Sequence, residues 1–340
     1  MNPDQGTALR LCRVVRLALS WGGSSNSNPL SKQGLTASFQ GSEAVAFSDR
    51  LGASLASSIR PDARPRPETA LSHHAEQPVR GGNGLVSAVA STPLSPIVEV
   101  AVTCVGIPSA SGYLIDITEI DHACRELVAP ILRESLFDEL TRGEPADLCA
   151  VLRRAAHALR STLSAPLASI EFRPSPYRRA SFECAAASDH TQQRDTPMTG
   201  TFILSETFEF AAAHRLHLAS RSDAENRQLF GKCNNPNGHG HNYRIEVAVE
   251  TGTMSAADGD GQRLIDYAVI ERVVDAEIMA RFDHKHLNVD CPEFANLNPS
   301  VEHIAMVCHG ILAPRFAEAG GWLRWVEVWE TGKTSCRYPA

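Results

Sequence analysis

The 340-residue chain is expected to fold as α+β, with one architecture used twice: an antiparallel sheet carrying a pair of helices on one face. Three observations predict this. Val98-Glu99-Val100-Ala101-Val102 recurs as Ile245-Glu246-Val247-Ala248-Val249, with four identities in five. Leu114-Ile115-Asp116 recurs as Leu264-Ile265-Asp266. Each is followed by apolar residues at helical spacing, Ile120, Cys124 and Val128 in one half and Ile270, Val274 and Ile278 in the other. Ile170-Glu171-Phe172 then stands where Val326-Glu327-Val328 stands in the second half. Order and approximate spacing are kept, as in a tandem duplication.

Taken in order, residues 1–20 carry Arg10, Arg13 and Arg16 and lack the uninterrupted apolar run of a secretory signal. Residues 21–95 are rich in Ser, Gly, Pro and Ala, and much of this stretch reads as a long flexible insertion. Residues 98–103 and 245–250 are rich in Val and alternate or run apolar, as strands do. The coarse pattern of each half is strand, strand, helix, helix, strand. Residues 185–200 are polar and read as a linker. Residues 1–184 are thus expected to form one repeat and residues 201–340 the other. Ser300, after Asn298-Pro299, is the expected cap of a helix with Val301, Ile304, Ala305, Cys308 and Leu312 on its buried face.

Composition narrows the function. The hydrophobic fraction is 43% and the net charge is −7, so real cores are possible and the basic surplus of a nucleic-acid binder is missing. No apolar run approaches the ~20 residues that span a bilayer. Nine cysteines are scattered with no Cys-x-x-Cys, which predicts free thiols and a cytoplasmic location rather than a disulfide framework. Eight of the thirteen histidines lie after residue 200, which locates the chemistry in the second half.

The chemistry concentrates in Gly231-Lys232-Cys233-Asn234-Asn235-Pro236-Asn237-Gly238-His239-Gly240-His241-Asn242-Tyr243. His239 and His241, two apart at the mouth of a strand, project from one face. Gly238 and Gly240 are expected to leave room for a metal beside the backbone. His214 ends the strand-like run 208–213. Three neutral imidazoles suit Zn2+ and leave one position open, with no fourth protein ligand evident. A lone His-x-His pair is ordinarily incidental, and it is His214 and the glycine-rich loop that shift the balance. His217 is the nearest competitor as a ligand, and its expected place is the surface. Cys233 sits beside Lys232 in a polar loop, where a cation favours thiolate. Asp283 next to His284 can orient an imidazole for proton transfer, although alone the pair reads as a polar helix end. Glu330, at the end of a final strand, can accept two N–H donors from a heterocycle if buried and is an ordinary strand end if not.

These motifs stand in the order seen in 6-pyruvoyl-tetrahydropterin synthases. Residues 210–216, 231–243, 283–288, 299–302 and 330–331 carry the resemblance, which covers roughly residues 202–338. It implies the tunnelling fold, so the chain is expected to hold two tandem tunnelling-fold units. It also implies that His214, His239 and His241 hold zinc. Cys233 would then be the general base, with Asp283 and His284 as its proton-relay partner. Glu330, helped by Thr331 and Glu302, would bind the pterin. The implied substrate is 7,8-dihydroneopterin triphosphate, with elimination of triphosphate. Lys232, Arg215 and Lys333 are candidate triphosphate cations. The five residues between Cys233 and His239 resemble the pyruvoyl branch. The ending through Thr334-Ser335-Cys336-Arg337-Tyr338 is similar to the 6-carboxytetrahydropterin synthase branch, which also releases acetaldehyde on the queuosine route.

By offset, the first half has Thr92 and Leu94 for the histidine pair, Pro174 for Glu330 and Asp138-Glu139 for Asp283-His284. It is therefore expected to be a non-catalytic repeat. A homo-oligomer is expected, either three two-repeat chains or a hexamer. Three rivals remain: a pterin-binding module without turnover, a Cys233–His284–Asp283 hydrolase indifferent to chelation, and a structural zinc site.

Overall fold

Asp116 and Asp266 show why Leu-Ile-Asp recurs: each caps the first helix of its half. The Asp116 side chain accepts the Thr118 N–H and Asp266 accepts the Val269 N–H. The preceding Ile115 and Ile265 are both buried. The computed structural model describes residues 8–19, 96–143, 146–185, 198–254 and 265–340. The stretch expected to be a flexible insertion, residues 21–95, lies outside the described residues, and Thr92 and Leu94 with it.

In the first half, β1 (Leu9–Ala18) pairs antiparallel with β2 (Ile97–Gly106), Val15 opposite Val100. Helix α1 (Ile117–Ala123) passes through a π-turn at Cys124–Val128 into α2 (Ala129–Arg142), and α3 (Leu148–Thr162) returns. Strands β3 (Leu167–Arg173) and β4 (Arg178–Cys184) complete the unit. In the second half, β5 (Gly200–His214), the short α4 (Asp223–Phe230) and β6 (His239–Met254) come first. Helix α5 (Tyr267–Val274) has its own π-turn at Asp275–Met279 and ends in α6 (Ala280–Phe282). Next come β7 (Lys285–His286), α7 (Leu287–Asp290), α8 (Val301–Glu318), β8 (Trp322–Thr331) and β9 (Thr334–Tyr338). The two halves thus share the pattern strand, strand, helix, helix, strand, strand, down to the π-turn.

The sheet runs β1-β2-β3-β4-β5-β6-β8-β9, with β7 parallel to β5. Period-two alternation sends Val100, Val102 and Cys104 of β2, and Ile245, Val247 and Val249 of β6, into the core under the helices. Residues of opposite parity carry cross-strand ion pairs, Arg16 with Glu99, Arg179 with Glu246 and Arg337 with Glu327. Burial pushes the Glu246 carboxyl up, against the pull of Arg179 and Ser205.

The polar segment read as a linker connects paired neighbours. β4 and β5 form one antiparallel ladder from Arg178–Glu206 to Cys184–Gly200, and Ala185 N–H continues it to Thr199 O. Phe182 lies opposite Phe202 with ring centroids 4.8 Å apart. Burying such a ring stabilises by about 2–3 kcal/mol, so the halves share a core as well as a sheet. The strand pattern read from the sequence lacked the closing strand of each half, β4 and β9. In β1, Arg13 breaks the apolar alternation, turns toward α1 and meets Asp121 at 2.7–2.8 Å. Asp138 and Glu139 fall inside α2, where Asp138 meets Arg142. They therefore do not take the place of Asp283-His284. All nine cysteines are free, and no described helix is long and apolar enough to cross a membrane.

Candidate functional site

The β5–β6 ladder builds the histidine cluster. His214 lies directly opposite His239, and His241 opposite Ala212. The three rings point to the helix-bearing face, with centroids 4.6–5.2 Å apart. His214 is fully buried and its Nδ1 lies 2.7 Å from the Pro299 carbonyl oxygen, just before the Ser300 cap of α8. That carbonyl can only accept, so the proton sits on Nδ1 and the Nε2 lone pair faces the cluster. His214 Nε2 and His239 Nε2 are 3.1 Å apart, and His241 Nε2 is buried without a hydrogen-bond partner.

Glu330 completes the group. Its Oε1 lies 3.2 Å from His214 Nε2 and 3.5 Å from His241 Nε2. One atom from each of the four residues fits within a 4.8 Å span. The sequence reading had no fourth protein donor; the structure supplies one, because β8 lies beside β6 with Trp329 opposite Arg244. Burial, then the neighbouring imidazoles, hold His239 below the ordinary histidine value, and burial does the same for His241. The neighbouring imidazoles, His214 first, hold the Glu330 carboxyl below its usual range. Neutral imidazoles, an ionised carboxylate and an orphaned buried Nε2 form a donor set that fits a borderline-soft divalent cation such as zinc.

Gly238 has φ of +71°, and a Cβ there would come within 2.6 Å of His286 Nε2 and 2.9 Å of the His214 carbonyl oxygen. At Gly240 a Cβ would meet only Ala212 O, at 3.7 Å. Of the two, position 238 is therefore the one where the packing of the loop itself requires glycine.

Cys233 lies half-buried in the 3₁₀ turn Gly231–Asn234, and its carbonyl accepts the Leu216 N–H at 2.9 Å. Asp283 and His284 do form a pair, with Oδ2 2.9 Å from Nδ1. The pair is docked on β5, where Asp283 Oδ1 accepts the Ala211 N–H and His284 N–H donates to Ala211 O. The Ala211 N–H first, then His284, hold the Asp283 carboxyl below its usual range. His284 adopts a left-handed φ of 57° and its side chain is 83% exposed, so it stands outside the histidine cluster within this chain. Glu302 begins α8, and its carboxyl is depressed chiefly by the Ser300 hydroxyl. Thr331 Oγ1 accepts the Lys333 N–H in the β8–β9 turn. Lys232 is exposed, whereas Arg215 buries its Nε without a partner.

One residue escaped the sequence reading and another lies deeper than expected. Tyr243 continues the alternation of His239 and His241. It is fully buried, stacks on Phe210 at 5.1 Å and meets His241 edge-on at 5.6 Å. Its hydroxyl has no partner, and burial, then Glu330 and Cys233, push its ionisation up. His217, expected at the surface, is half-buried. Its N–H donates to Asn298 Oδ1 and its Nδ1 lies 3.1 Å from Asn234 Nδ2.

A sequence-family profile described as 6-pyruvoyl tetrahydropterin synthase matches residues 203–340. The human 6-pyruvoyl tetrahydrobiopterin synthase is 43% identical over 103 residues, which cover 30% of this chain and 68% of that protein. The Drosophila melanogaster protein of the same name is 41% identical over 97 residues, 28% of this chain and 55% of its own length. The solved Caenorhabditis elegans 6-pyruvoyl tetrahydropterin synthase shares 30% identity, with 41% of this chain and 94% of that chain covered and a TM-score of 0.34.

Proposed function

The chain belongs to the 6-pyruvoyl tetrahydropterin synthase family, and from that premise we propose that it is a zinc-dependent lyase that eliminates triphosphate from 7,8-dihydroneopterin triphosphate. The observation that carries the reading is the convergence of His214, His239 and His241, with their Nε2 atoms turned to one point beside Glu330. In this reading the three histidines hold the ion. Zinc, when bound, supplies Lewis acidity to the side-chain hydroxyl oxygens of the substrate and makes the adjacent C–H and O–H protons more acidic.

The chain's own groups do the rest. Cys233 is the general base and takes a proton as thiolate. Asp283 accepts from His284 Nδ1 and so orients the imidazole that relays protons. The exposure of His284 agrees with a site completed where copies of the chain meet, in a homo-oligomer. Glu330 accepts from the amino-pyrimidine edge of the pterin, with Thr331 and Glu302 beside it. The internal redox rearrangement requires no nicotinamide. Among the described residues, the first half keeps the order of strands and helices and supplies no ligand set of its own.

The test is mass spectrometry of products from zinc-loaded protein and 7,8-dihydroneopterin triphosphate, beside a Cys233→Ala control. A 6-pyruvoyl product with released triphosphate supports the reading. A 6-carboxy product with acetaldehyde moves the chain to the second branch, which its C-terminal segment resembles, and keeps the site. Zinc binding without turnover supports a pterin-binding module.

A further inference from the structure

We propose that His217 is a positioning residue for Cys233, acting through the side-chain amide of Asn234; this rests on the reading of Cys233 as general base. Residues 215–218 leave the sheet directly after His214 and, among the described residues, have no strand beside them. Their peptides are held instead by groups from four different segments. The Arg215 N–H donates to Asn288 Oδ1, Leu216 N–H to Cys233 O, His217 N–H to Asn298 Oδ1 and Leu218 N–H to Asn226 Oδ1. The segment is thus a fixed rail that starts at a cluster histidine, and the Cys233 turn is fastened to it.

The fastening is specific. Asn234 is buried, 4% exposed, and its Nδ2 donates to Leu216 O at 2.7 Å. That bond identifies the atom as the amide nitrogen, because a carbonyl cannot donate. Its second hydrogen has His217 Nδ1 at 3.1 Å. His217 Nδ1 is therefore the accepting nitrogen. With Leu216 N–H to Cys233 O, three hydrogen bonds join residues 216–217 to residues 233–234. Cys233 itself contributes only its backbone to this join. The place of its thiol is set by the turn, and the turn by the amide. Losing the His217 acceptor leaves a buried N–H unpaired, which loosens the turn rather than the sheet.

The test uses the full chain loaded with zinc and three readouts: zinc content, the rate of Cys233 carbamidomethylation by iodoacetamide followed by peptide mapping, and turnover. His217→Phe keeps the aromatic bulk and removes the acceptor. It is expected to retain zinc, to speed Cys233 alkylation about three- to tenfold, with Cys336 unchanged as internal reference, and to lower kcat by a similar factor with KM shifted less than about twofold. His217→Asn places an acceptor oxygen at the δ position and is expected to restore both rates to within about twofold. In a Cys233→Ala background, His217→Phe is expected to cause no further loss of residual turnover. The proposal is overturned if His217→Phe leaves Cys233 alkylation unchanged, if His217→Asn is no better than His217→Phe, or if the loss persists in the Cys233→Ala background. Should the wild-type chain not turn over the pterin, the functional reading fails, and the alkylation arm still decides the positioning role.

Discussion

Replacing Gly238 with alanine, beside a Gly240→Ala control, separates two glycines that look alike in the Gly-His-Gly-His run. At position 238 an L-residue must hold φ at +71°, which costs ~1–2 kcal/mol. Its Cβ would also lie 2.9 Å from the His214 carbonyl oxygen and 2.6 Å from His286 Nε2. The His286 ring can shift. The carbonyl cannot do so cheaply, since it belongs to the residue paired with His239 in the ladder and anchored through Nδ1 to Pro299. Overpacking of this kind adds about 1–3 kcal/mol. The sum of roughly 2–5 kcal/mol corresponds to a fall in Tm of roughly 3–7 °C for a chain of this size. Because the strain falls on the cluster, zinc affinity should fall as well, by about 10–100-fold, as when the supports of a ligand are disturbed. Gly240→Ala meets only an ordinary 3.7 Å contact and should leave both quantities near wild type. Thermal unfolding with and without zinc, and competition against a chromogenic chelator, measure the two effects. Equal behaviour of the two variants, or a Gly238→Ala protein with wild-type Tm and zinc affinity, would refute the assignment of strain to position 238.

Other outcomes follow from the same geometry. His239→Ala should lose more zinc affinity than the roughly 10–100-fold of a supporting group, read by chelator competition; retained affinity would remove it from the ligand set. Glu330→Gln should still bind zinc through three imidazoles, while KM rises about 10–100-fold from loss of a charged acceptor; loss of zinc would instead make Glu330 a ligand. Asp283→Asn keeps an acceptor for the Ala211 N–H but loses the charge beside His284, so kcat should fall while Tm stays close to wild type. The metal-free fold holds His239 and His241 below the ordinary imidazole value, so it binds fewer protons than the unfolded chain as pH falls below about 6.5. Its stability should therefore drop between pH 7.5 and pH 5.5, with the depressed Glu330 adding a loss of the same sign at lower pH. A Tm that stays level or rises over that interval would contradict the arrangement.

How much of this was legible in the sequence depends on the range of the interaction involved. The His239/His241 pair follows from period two, and His214 from the end of an adjacent apolar run, because both are local to strands. The repeated Leu-Ile-Asp proved to be a buried isoleucine followed by a helix cap, again a local device. Glu330 as a neighbour of the histidines depends on β8 pairing with β6 some eighty residues away in sequence, which no local pattern reports. Asp283 and His284 were recognisable as a pair, but the left-handed turn that leaves His284 exposed was not. Of the asparagines that hold residues 215–218, Asn288 lies in a motif already noted and Asn226 and Asn298 carry no period. None shows which backbone group it meets until the separate segments are brought together. Tyr243 was within reach, one step further along the alternation already used for the histidines.

The ladder between β4 and β5 has an arithmetical consequence. It joins the last strand of one unit to the first strand of the next, and it leaves the same two kinds of edge, β1 and β9, at the ends of the described sheet. Repeating that contact between chains, β9 of one copy on β1 of the next, is head-to-tail addition. Units then enter in pairs, so every ring closed in this way has even parity. Two chains contribute four units, three chains contribute six in one ring, and a three-unit ring cannot be divided among whole chains. For any ring closed in that way, the covalent joint restricts the sizes to even numbers of units, a restriction that free single units do not share.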